Sequence, residues 1–546
     1  MRDVIVIGGG VAGLVAAREC AHFGLSVTVL EATDAVGGAV AHHEVAGLTL
    51  DSGAESFAVG RGSVAKFVAQ LGLSDEVVAP NPAGAWLHLP AHETSGGTRR
   101  GPGGGPGGEL AGKSVSVPLP KAGVLGIPGS PLATDVRRVL GWGGAWRAYL
   151  DRLIPVLKIG REHSLGELVR KRMGRRVLER LVEPVASGVY SASALDLEVD
   201  VVAPGLNGAL TTTGSLSGAV LALRAAAPAG SAVGGLRGGM SRLVDALVAD
   251  LEHFGVEIVT GSRVQGLVAG RSDDDPVWAV ALGAVAPATD GEGADTPAAD
   301  GPATGGPATD GPPTSGSVTG GPAASSSATD SPTLVNSPLE SRFVIVATPG
   351  AQALDLLASL GPELAALTEL DWPEPTVVEL ATIVIDAPAL DIHPRGTGVL
   401  VAAGTPGVTA KALTHVSAKW EWVAEDAGPG RHVIRLSYGR AGEASATADL
   451  GDVEFQALAL RDASTLLGVE LAADVVRGFA RTEWRDALSP ATIGARERVA
   501  SVREAIAATS GLDLTGAWLA GTGLASVIPD ALAAGGRIRN AVLGLD

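Results

Sequence analysis

Short apolar runs alternate with helix-like stretches along much of the chain. Residues 4–7 and 27–30 are almost wholly apolar, which predicts two buried strands of a parallel sheet. The stretch 11–23 between them is rich in Ala, Val and Leu and predicts a helix. Strand, helix and strand in this order are expected of a parallel sheet.

Later segments vary this pattern. Helix formers with Arg and Leu periodicity predict a helical bundle over 131–182, in which Ser164 is the N-cap of one helix. The last 60 residues predict helix, strand and helix. Four further apolar or β-branched runs predict strands: 255–259, 343–347, 376–385 and 432–436.

Two segments have a composition that opposes folding. Residues 95–112 are rich in Gly and Pro, and 286–335 consist largely of Ala, Gly, Pro, Ser, Thr and Asp. Such stretches cannot bury apolar area, so both are predicted to be disordered low-complexity insertions. The second carries six acidic residues and no Lys or Arg, and we expect a surface loop that joins two strands of one sheet.

Charge, cysteine count and hydropathy exclude several classes of protein. The chain has 41 Lys and Arg against 59 Asp and Glu, a net charge of −18, which argues against a nucleic-acid partner. Cys20 alone cannot form an internal disulfide or a Cys-based zinc site, and no metal site is predicted. The longest uncharged stretch, 201–223, is broken by Pro204 and Gly, so no transmembrane segment is expected. We expect a cytoplasmic protein, with peripheral contact to a membrane left open.

A glycine motif at the first strand–helix junction carries the strongest chemical signal. It fits the pattern G-x-G-x-x-G through Gly8, Gly9, Gly10, Val11, Ala12 and Gly13. In this pattern the first glycine permits a tight turn, the second lets a pyrophosphate approach the backbone, and the third lets helix and strand pack closely. Glu31 ends the second strand and is placed to bind an adenosine ribose. The sequence therefore predicts a bound dinucleotide.

The residues after Glu31 resemble the flavin-dependent amine oxidase and protoporphyrinogen oxidase superfamily. The resemblance lies in Gly37 and Gly38 and in the motif 51–57. It implies FAD as the cofactor, with further contacts from Ala32, Gly53, Ala54, Glu55 and Ser56. The superfamily has an Arg after the glycine pair, whereas this chain has Ala39, so that donor has to come from elsewhere.

More distant segments narrow the resemblance to the porphyrinogen oxidases, above all the bacterial coproporphyrinogen III oxidases. These segments are 125–128, 181–190, 234–243 and 411–420. The resemblance implies that Val264 contacts the adenine and that Trp420 packs near the flavin. At the C-terminus it implies a flavin contact from the backbone of Ser526, Val527 and Ile528, with 521–523 as the alternative.

The resemblance also implies a fold and an organisation. The expected class is α/β (α+β), with an amine-oxidase-like, Rossmann-type FAD-binding domain, a substrate domain built on a mixed sheet, and a helical subdomain. The FAD-binding domain is predicted from 1–72, 227–285, 341–350 and 476–546, the substrate domain from 73–94, 180–226 and 351–475, and the helical subdomain from 113–179.

The function implied is the oxidation of coproporphyrinogen III by FAD and molecular oxygen in haem biosynthesis. Arg61, Lys411 and Lys419 are the candidate partners of the substrate carboxylates; Lys411 and Lys419 are expected on one strand face, with His415 beside them. No catalytic base is predicted, because the cofactor performs the hard step. Protoporphyrinogen IX oxidation, amine oxidation and a non-catalytic FAD or tetrapyrrole carrier remain alternatives. The Arg-rich helical stretch leaves open a solvated face, or contact with anionic lipid or the next pathway enzyme.

Overall fold

The structure is a computed structural model. It describes residues 1–60, 62–91, 114–121, 123–156, 163–226, 233–271, 276–283, 338–374, 377–485 and 491–545. The predicted insertions 95–112 and 286–335 and the predicted substrate contact Arg61 lie outside the described residues.

Strands and helices alternate through the chain. The strands are β1 (Arg2–Ile7), β2 (Val27–Leu30), β3 (His42–Val45), β4 (Leu48–Asp51), β5 (Phe57–Ala58), β6 (Val77–Val78), β7 (Ala85–Pro90), β8 (Ser114–Pro118), β9 (Gly123–Val124), β10 (Ile127–Pro128), β11 (Val233–Leu236), β12 (Glu257–Val259), β13 (Val264–Arg271), β14 (Pro276–Leu282), β15 (Leu339–Val346), β16 (Val377–Asp386), β17 (Gly398–Val401), β18 (Ala412–His415), β19 (Arg431–Tyr438), β20 (Val476–Arg485) and β21 (Leu512–Leu514).

The α-helices are α1 (Val11–Ala21), α2 (Ser63–Gln70), α3 (Thr134–Tyr149), α4 (Leu165–Met173), α5 (Arg175–Val177), α6 (Glu183–Tyr190), α7 (Val199–Val202), α8 (Leu206–Thr213), α9 (Leu216–Ala226), α10 (Ser241–His253), α11 (Gly350–Ala358), α12 (Pro362–Ala365), α13 (Val416–Lys419), α14 (Glu421–Ala427), α15 (Asp452–Leu467), α16 (Ala495–Ala507), α17 (Ala517–Ala520) and α18 (Leu524–Leu543). A π-helical turn, Leu178–Val182, joins α5 to α6, and 3₁₀ turns cover Ser74–Glu76, Leu150–Leu153, Ala366–Glu369, Pro388–Leu390 and Ala473–Val475.

A largely parallel sheet brings together strands from the N-terminal, middle and C-terminal parts of the chain. Its strand order in the described chain is β12-β2-β1-β15-β14-β13, and β21 pairs with β15. The neighbours β12, β2, β1 and β15 are parallel, whereas β14 and β13 are antiparallel additions. All four strands predicted at 4–7, 27–30, 255–259 and 343–347 lie in this sheet as parallel neighbours, which confirms the predicted parallel sheet.

The strands that flank the acidic insertion are direct neighbours in this sheet. Trp278 of β14 lies opposite Ser341 of β15, and Val280 lies opposite Leu339, in antiparallel pairing. The insertion therefore connects two paired strands of one sheet, as its position in the sequence predicted.

A second, mixed sheet carries the predicted strands 376–385 and 432–436. Its order in the described chain is β20-β16-β19-β18-β17-β7-β8, antiparallel except for the pair β17 and β7. On β19, Ile434 and Leu436 pack with Phe455 of α15, while Val433 packs with Trp420 and Trp422. Alternate residues of β19 thus face α15 on one side and the β3–β4 hairpin with Trp420 and Trp422 on the other.

Two predicted boundaries differ from the structure. Strand β20 begins at the predicted start of the last FAD-binding segment, Val476, but pairs with β16 in the mixed sheet. Helices α6 to α9 share one apolar core with α3, α4 and β7, so the helical layer continues past residue 179 to Ala226. The cause is packing: the apolar faces of these helices bury one another together with Leu87 and Leu89.

Helices α3, α4 and α5 lie within the stretch 131–182, where helices were predicted. The side-chain oxygen of Ser164 accepts a hydrogen bond from the backbone N–H of Glu167 at 3.1 Å, which is the predicted N-cap of α4. Among the residues that the structure describes, every helix is too short or too polar to cross a bilayer.

Candidate FAD-binding and active site

The turn from β1 to α1 gives each glycine of the motif a separate role. Gly8 has φ +107°, a backbone conformation that favours glycine. A methyl group on Gly13 would lie 1.9 Å from the carbonyl oxygen of Gly8, so helix and strand approach too closely for any side chain. A methyl group on Gly10 would meet no atom within 4 Å. The open side of the turn is therefore at Gly10, where the motif predicts a pyrophosphate.

Glu31 ties the neighbouring loop to this turn. Its Oε2 accepts a hydrogen bond from the backbone N–H of Gly9 at 2.7 Å, and its Oε1 accepts from the backbone and hydroxyl of Thr33 at 2.8 Å each. The exposed Ala32 lies between these two anchors. The segment before Val264 joins the same edge, because the N–H of Ser262 donates to the carbonyl of Glu31 at 2.7 Å. The predicted ribose and adenine contacts thus lie side by side.

The glycine pair after Glu31 lies against the first turn. The N–H of Gly37 donates to the carbonyl of Gly9 at 2.8 Å. Gly38 has φ +58°, and a methyl group on it would lie 3.4 Å from the α-carbon of Gly10. The carbonyl of Ala39 in turn accepts from the N–H of Ala54 at 2.9 Å. A methyl group on Gly53 would lie 2.2 Å from that same carbonyl. The predicted contacts at Gly37, Gly38, Gly53 and Ala54 therefore form one continuous wall.

Glu55, predicted as a cofactor contact, is a buried anion between two cations. Lys419 bonds to its Oε1, and a guanidinium nitrogen of Arg435 lies 2.8 Å from its Oε2. Burial acts to raise the pKa of Glu55, but the charges of Arg435 and Lys419 outweigh it and hold the pKa at about 2. Arg435 also donates to the carbonyl of Gly53 at 2.9 Å. The turn 53–56, which includes Ser56, is therefore fastened to β19 of the mixed sheet.

Trp420 lies next to this cluster. Its ring packs so closely on Gly235 of β11 that a methyl group there would come within 2.9 Å of it, and the Lys419 ammonium lies 5.1 Å from the ring centroid. Trp420 also lines a small cavity of about 10 Å³ with Glu55, Asp51, Thr382 and Trp422, which is room for one water molecule. Three buried polar atoms of these lining residues lack a hydrogen-bond partner: Thr382 Oγ1, Trp420 Nε1 and Trp422 Nε1.

The segments predicted to contact the flavin at the C-terminus lie at and just before the start of α18. Gly523 is the N-cap with φ +95°, and no side chain caps the helix. The N–H groups of Ser526 and Val527 donate to the carbonyl of Gly523 at 3.0 and 3.1 Å, and the side chains of Val527 and Ile528 lie in the apolar core. The N–H groups without an intrahelical acceptor are those at the very start of a helix. These N–H groups precede 526–528 in the chain, and the N–H of Gly521 donates to the carbonyl of Ala517 at 2.9 Å. The flavin contact of 526–528, with 521–523 as the alternative, stays a prediction.

The predicted strand face of Lys411 and Lys419 is wrong. Strand β18 ends at His415, and the chain then turns into α13, so the eight-residue spacing no longer places both side chains on one face. Lys411 is fully buried and bonds to the hydroxyl of Ser191. His415 has another partner, the imidazole of His432 at 3.0 Å. Lys419 alone of the three reaches the turn 53–56.

Two residues of this site were not selected from the sequence. Asp51 Oδ1 accepts a hydrogen bond from the N–H of Met240 at 2.7 Å, and burial raises the pKa of Asp51 to about 7. Arg435 is the second. The available signal was its place in a predicted strand, where it follows the apolar residues 433 and 434 and precedes the apolar residue 436. Because side chains alternate along a strand, Arg435 points to the face opposite Ile434 and Leu436.

These features fit a bound dinucleotide. The open space over Gly10 provides room for a pyrophosphate. The uncapped starts of α1 and α18 provide N–H donors, and the acidic Glu31 at the end of β2 is a partner for a ribose. Backbone contacts exclude a side chain at Gly8 and at Gly13, whereas a side chain at Gly10 would enter the open space of the cradle.

Comparison with known proteins identifies the cofactor. The family model for flavin containing amine oxidoreductases matches residues 11–288. The chain belongs to this family. A flavin together with a dinucleotide-binding glycine turn means FAD, and the protein is an FAD-dependent oxidoreductase.

Curated relatives agree with the resemblance found in the sequence. Coproporphyrinogen III oxidase of Mycobacterium tuberculosis (strain ATCC 25618 / H37Rv) is 26% identical over 550 residues, which cover 99% of this chain and 97% of the relative. Coproporphyrinogen III oxidase of Propionibacterium freudenreichii subsp. freudenreichii is 28% identical over 294 residues, an alignment that spans 48% of this chain and 52% of the relative.

A solved structure supports the fold. A protein from Exiguobacterium sp. 255-15, provisionally named a protoporphyrinogen oxidase, superposes with a TM-score of 0.71 at 22% identity, over 100% of this chain and 99% of that one. The predicted fold class, an amine-oxidase-like α/β flavoprotein with a mixed second sheet, is confirmed.

Proposed function

We propose that this oxidoreductase oxidises coproporphyrinogen III to coproporphyrin III in haem biosynthesis, with molecular oxygen as the electron acceptor. One observation carries the proposal: the similarity to the mycobacterial coproporphyrinogen III oxidase extends over 99% of the chain, through both sheets and the helical layer. A cytoplasmic location and transient contact with the next enzyme of the pathway belong to the same proposal.

The reaction balances as three two-electron steps. A porphyrinogen loses six electrons and six protons on becoming a porphyrin, so three O₂ are consumed and three H₂O₂ are released. FAD, when bound, supplies the acceptor for each electron pair and the route to oxygen. The protein's own task is then to hold an apolar disc beside the flavin and to stabilise negative charge on the reduced cofactor.

Named residues support each part of that task. Gly8 to Gly13 and the start of α1 hold the pyrophosphate, and Glu31 binds the ribose. The head of α18, at residues 521–524, directs the positive end of a helix toward the flavin. The cluster of Glu55, Lys419 and Arg435 positions the turn 53–56 relative to the mixed sheet. We assign no residue as a catalytic base.

The site must also bind the carboxylates of the substrate. Arg61 is our proposed partner for one propionate, because Arg forms bidentate bonds with carboxylates. Lys419 already neutralises Glu55, and Lys411 is buried against Ser191, so we propose that both act by positioning neighbouring segments. The alternative substrate, protoporphyrinogen IX, has two propionates where coproporphyrinogen III has four.

The test is a comparison of substrates on the FAD-loaded protein. Porphyrin fluorescence and peroxide are followed in air with coproporphyrinogen III and protoporphyrinogen IX side by side, with anaerobic samples as controls. We expect faster turnover of coproporphyrinogen III and one peroxide per electron pair. Preference for protoporphyrinogen IX would establish the alternative. Retained FAD without turnover of either substrate would overturn the proposal and leave an amine substrate or a carrier role.

A further inference from the structure

Two buried histidines share a hydrogen bond at one end of the mixed sheet. His415 ends β18 and His432 lies near the start of β19; both side chains are withdrawn from solvent. Nε2 of His415 lies 3.0 Å from Nδ1 of His432, and Nε2 of His432 lies 3.0 Å from a carboxylate oxygen of Asp391. Asp391 is half exposed. The three side chains thus form a hydrogen-bonded row from the surface into the protein.

The positions of the protons in this row follow from its geometry. A carboxylate can only accept, so Nε2 of His432 carries a proton and donates it to Asp391. A neutral imidazole has one N–H, so Nδ1 of His432 accepts from Nε2 of His415. The lone pair of His415 is then on Nδ1, a buried atom for which the described part of the chain provides no hydrogen-bond partner. Both rings are therefore neutral and each has a defined tautomer.

Neither ring can take up a proton without a loss. On His432 the proton would go to Nδ1, where it would face the N–H of His415 and break the shared hydrogen bond. On His415 it would go to the buried Nδ1, and the charge would lie beside two more imidazoles, those of His432 and His393, at centroid distances of 5.0 and 5.5 Å. Burial and these neighbours accordingly lower the pKa of His415 to about 3, and burial lowers the pKa of His432.

The charges around the pair offer little compensation. Asp391 and His393 come from the loop between β16 and β17, and Asp391 favours the charged form of His432 only. Arg431 precedes His432 in β19, but alternation directs it to the opposite face, where it pairs with Asp386 at 2.8 Å. The row is therefore stable as a neutral unit and is opposed to protonation.

The pair also fixes the start of α13. The backbone N–H of His415 donates to the carbonyl of Thr397 at 3.1 Å, and α13 begins at the next residue. Within α13, the hydroxyl of Ser417 accepts from the N–H of Val433 at 3.1 Å and lies 3.5 Å from Nδ1 of His432. Both ends of the shared hydrogen bond are thus attached to the backbone that leads into α13.

Helix α13 carries one of the cations of the FAD side. Its last residue, Lys419, bonds to Glu55 in the turn 53–56, and Trp420 follows directly. The backbone carbonyl of Lys419 also accepts from the N–H of Asn81 at 2.9 Å. A displacement of α13 would therefore pull on the turn 53–56.

We propose that His415 and His432 are positioning residues of the FAD site. As a neutral pair they hold α13 against the turn 53–56, and a proton taken up by either ring releases α13. Acid then loosens the contact between Lys419 and Glu55 and weakens the retention of FAD. The inference rests on the proposed contact of the turn 53–56 with the flavin and does not depend on which substrate is oxidised.

The direction and size of the effect follow from proton linkage. The released form binds more protons than the closed form, so retention of FAD falls as the pH falls through the ordinary pKa of an imidazole. With a pKa of about 6.5 when released and about 3 when closed, His415 shifts the equilibrium about tenfold toward release between pH 7.5 and 5.5.

The experiment measures the release of FAD from the loaded full chain. Flavin fluorescence is followed after dilution into buffers from pH 7.5 to 5.5, and we expect release about tenfold faster at the acidic end. His415→Gln keeps an N–H for Nδ1 of His432 but cannot gain a proton, so it should lower this ratio at least about threefold. Asp391→Asn removes the charge that favours protonated His432 in the closed form, so it should raise the ratio.

A matched control and a second measurement accompany these variants. His22→Gln removes another imidazole whose Nε2 lies near a carboxylate, that of Asp250 at 2.9 Å, at the end of α1. It should give the pH profile of the unaltered protein. Hydrogen exchange of peptides covering 412–420, corrected for the intrinsic effect of pH, should show this segment opening in acid in the unaltered protein. This readout and Asp391→Asn, at a half-exposed position, decide the matter if His415→Gln does not fold.

Four results would overturn the proposal. The first is equal release of FAD at pH 7.5 and 5.5, and the second is an unchanged ratio in a folded His415→Gln protein. The third is an Asp391→Asn protein whose ratio is unchanged or lowered. The fourth is opening of 412–420 in acid without loss of FAD, which would give the pair a role in the sheet alone. None of these readouts requires turnover, so they remain valid if the proposed substrate is wrong.

Discussion

A guanidinium nitrogen of Arg435 lies 2.8 Å from the buried carboxylate of Glu55. This ion pair joins the turn 53–56, which belongs to the FAD side of the molecule, to β19 of the mixed sheet. Lys419 completes the cluster from the segment that precedes Trp420. The position of the turn 53–56 relative to the mixed sheet therefore depends on three side chains from distant parts of the sequence.

Replacing the anion of this cluster should destabilise the protein. Glu55→Gln leaves two buried cations without a counter-charge, and breaking a buried pair costs about 3–5 kcal/mol. We expect that loss in the free energy of unfolding by urea, together with weaker retention of FAD. The control is Glu425→Gln, which removes an exposed carboxylate paired with Arg237 and should change stability by less than about 1 kcal/mol. Equal effects of the two substitutions would contradict the role given to Glu55.

Two glycines of the first turn should respond differently to the same change. Gly13→Ala places a methyl group 1.9 Å from a carbonyl oxygen, so both stability and FAD should be lost. Gly10→Ala meets no protein atom within 4 Å, so it should leave the thermal stability of the FAD-free protein unchanged and reduce FAD binding only. Gly208→Ala in α8, which also meets nothing within 4 Å, is the control for helix propensity. Titration with FAD and thermal unfolding of each variant decide between these outcomes.

Lys411 should make stability depend on pH. Burial, with a contribution from the charge of Arg440, lowers the pKa of Lys411 to about 7 from its ordinary 10.5. Between these values the unfolded chain binds more protons than the folded one, so stability rises as pH increases from 7 to 10. Relative to Lys411→Met, the unaltered protein should gain on the order of 2–3 kcal/mol between pH 7 and 9.5 in urea unfolding. Lys66→Met, at an exposed position of α2, should show no such difference; a parallel response in both variants would refute the assignment.

The cavity beside Glu55 should contain an ordered water molecule. Its volume of about 10 Å³ accommodates one water, and the unpaired Thr382 Oγ1, Trp420 Nε1 and Trp422 Nε1 belong to residues that line it. A water there can donate to Glu55 Oε2 and accept from the indole N–H of Trp420 or Trp422. A crystal structure with resolved solvent should show density at this point, and an empty cavity would contradict the expectation.

Deleting residues 286–335 should leave FAD binding and turnover intact. The strands on either side, β14 and β15, already pair through Trp278 and Ser341, so a short turn can replace the connection. FAD absorbance and the substrate assay on the shortened chain provide the check. Loss of FAD on deletion would show that the segment takes part in the cofactor site.

Local patterns were sufficient for part of this structure. The glycine turn, Glu31 and the first strands follow from spacings of a few residues, and the structure places them as expected. The Glu55 cluster depends on Lys419 and Arg435, whose approach to residue 55 is set by sheet pairing and not by any local pattern. The prediction that Lys411 and Lys419 share one strand face was wrong because nothing in residues 411–420 marks the end of β18 at His415. The predicted domain boundaries at 179 and 476 differ from the structure because long-range contacts determine them. These contacts are the shared core of the helical layer and the pairing of β20 with β16.

The antiparallel pairing of β14 with β15 also affects how the length of this chain can change during evolution. Val280 and Leu339 face each other across one ladder, so the connection begins and ends about 5 Å apart whatever its length. Closing a flexible loop becomes costlier by only about 0.6 kcal/mol for each doubling of its length. Sequence can therefore be gained or lost at this point with little effect on the sheet. The same junction is a suitable place to graft a fluorescent reporter or an affinity module into the enzyme.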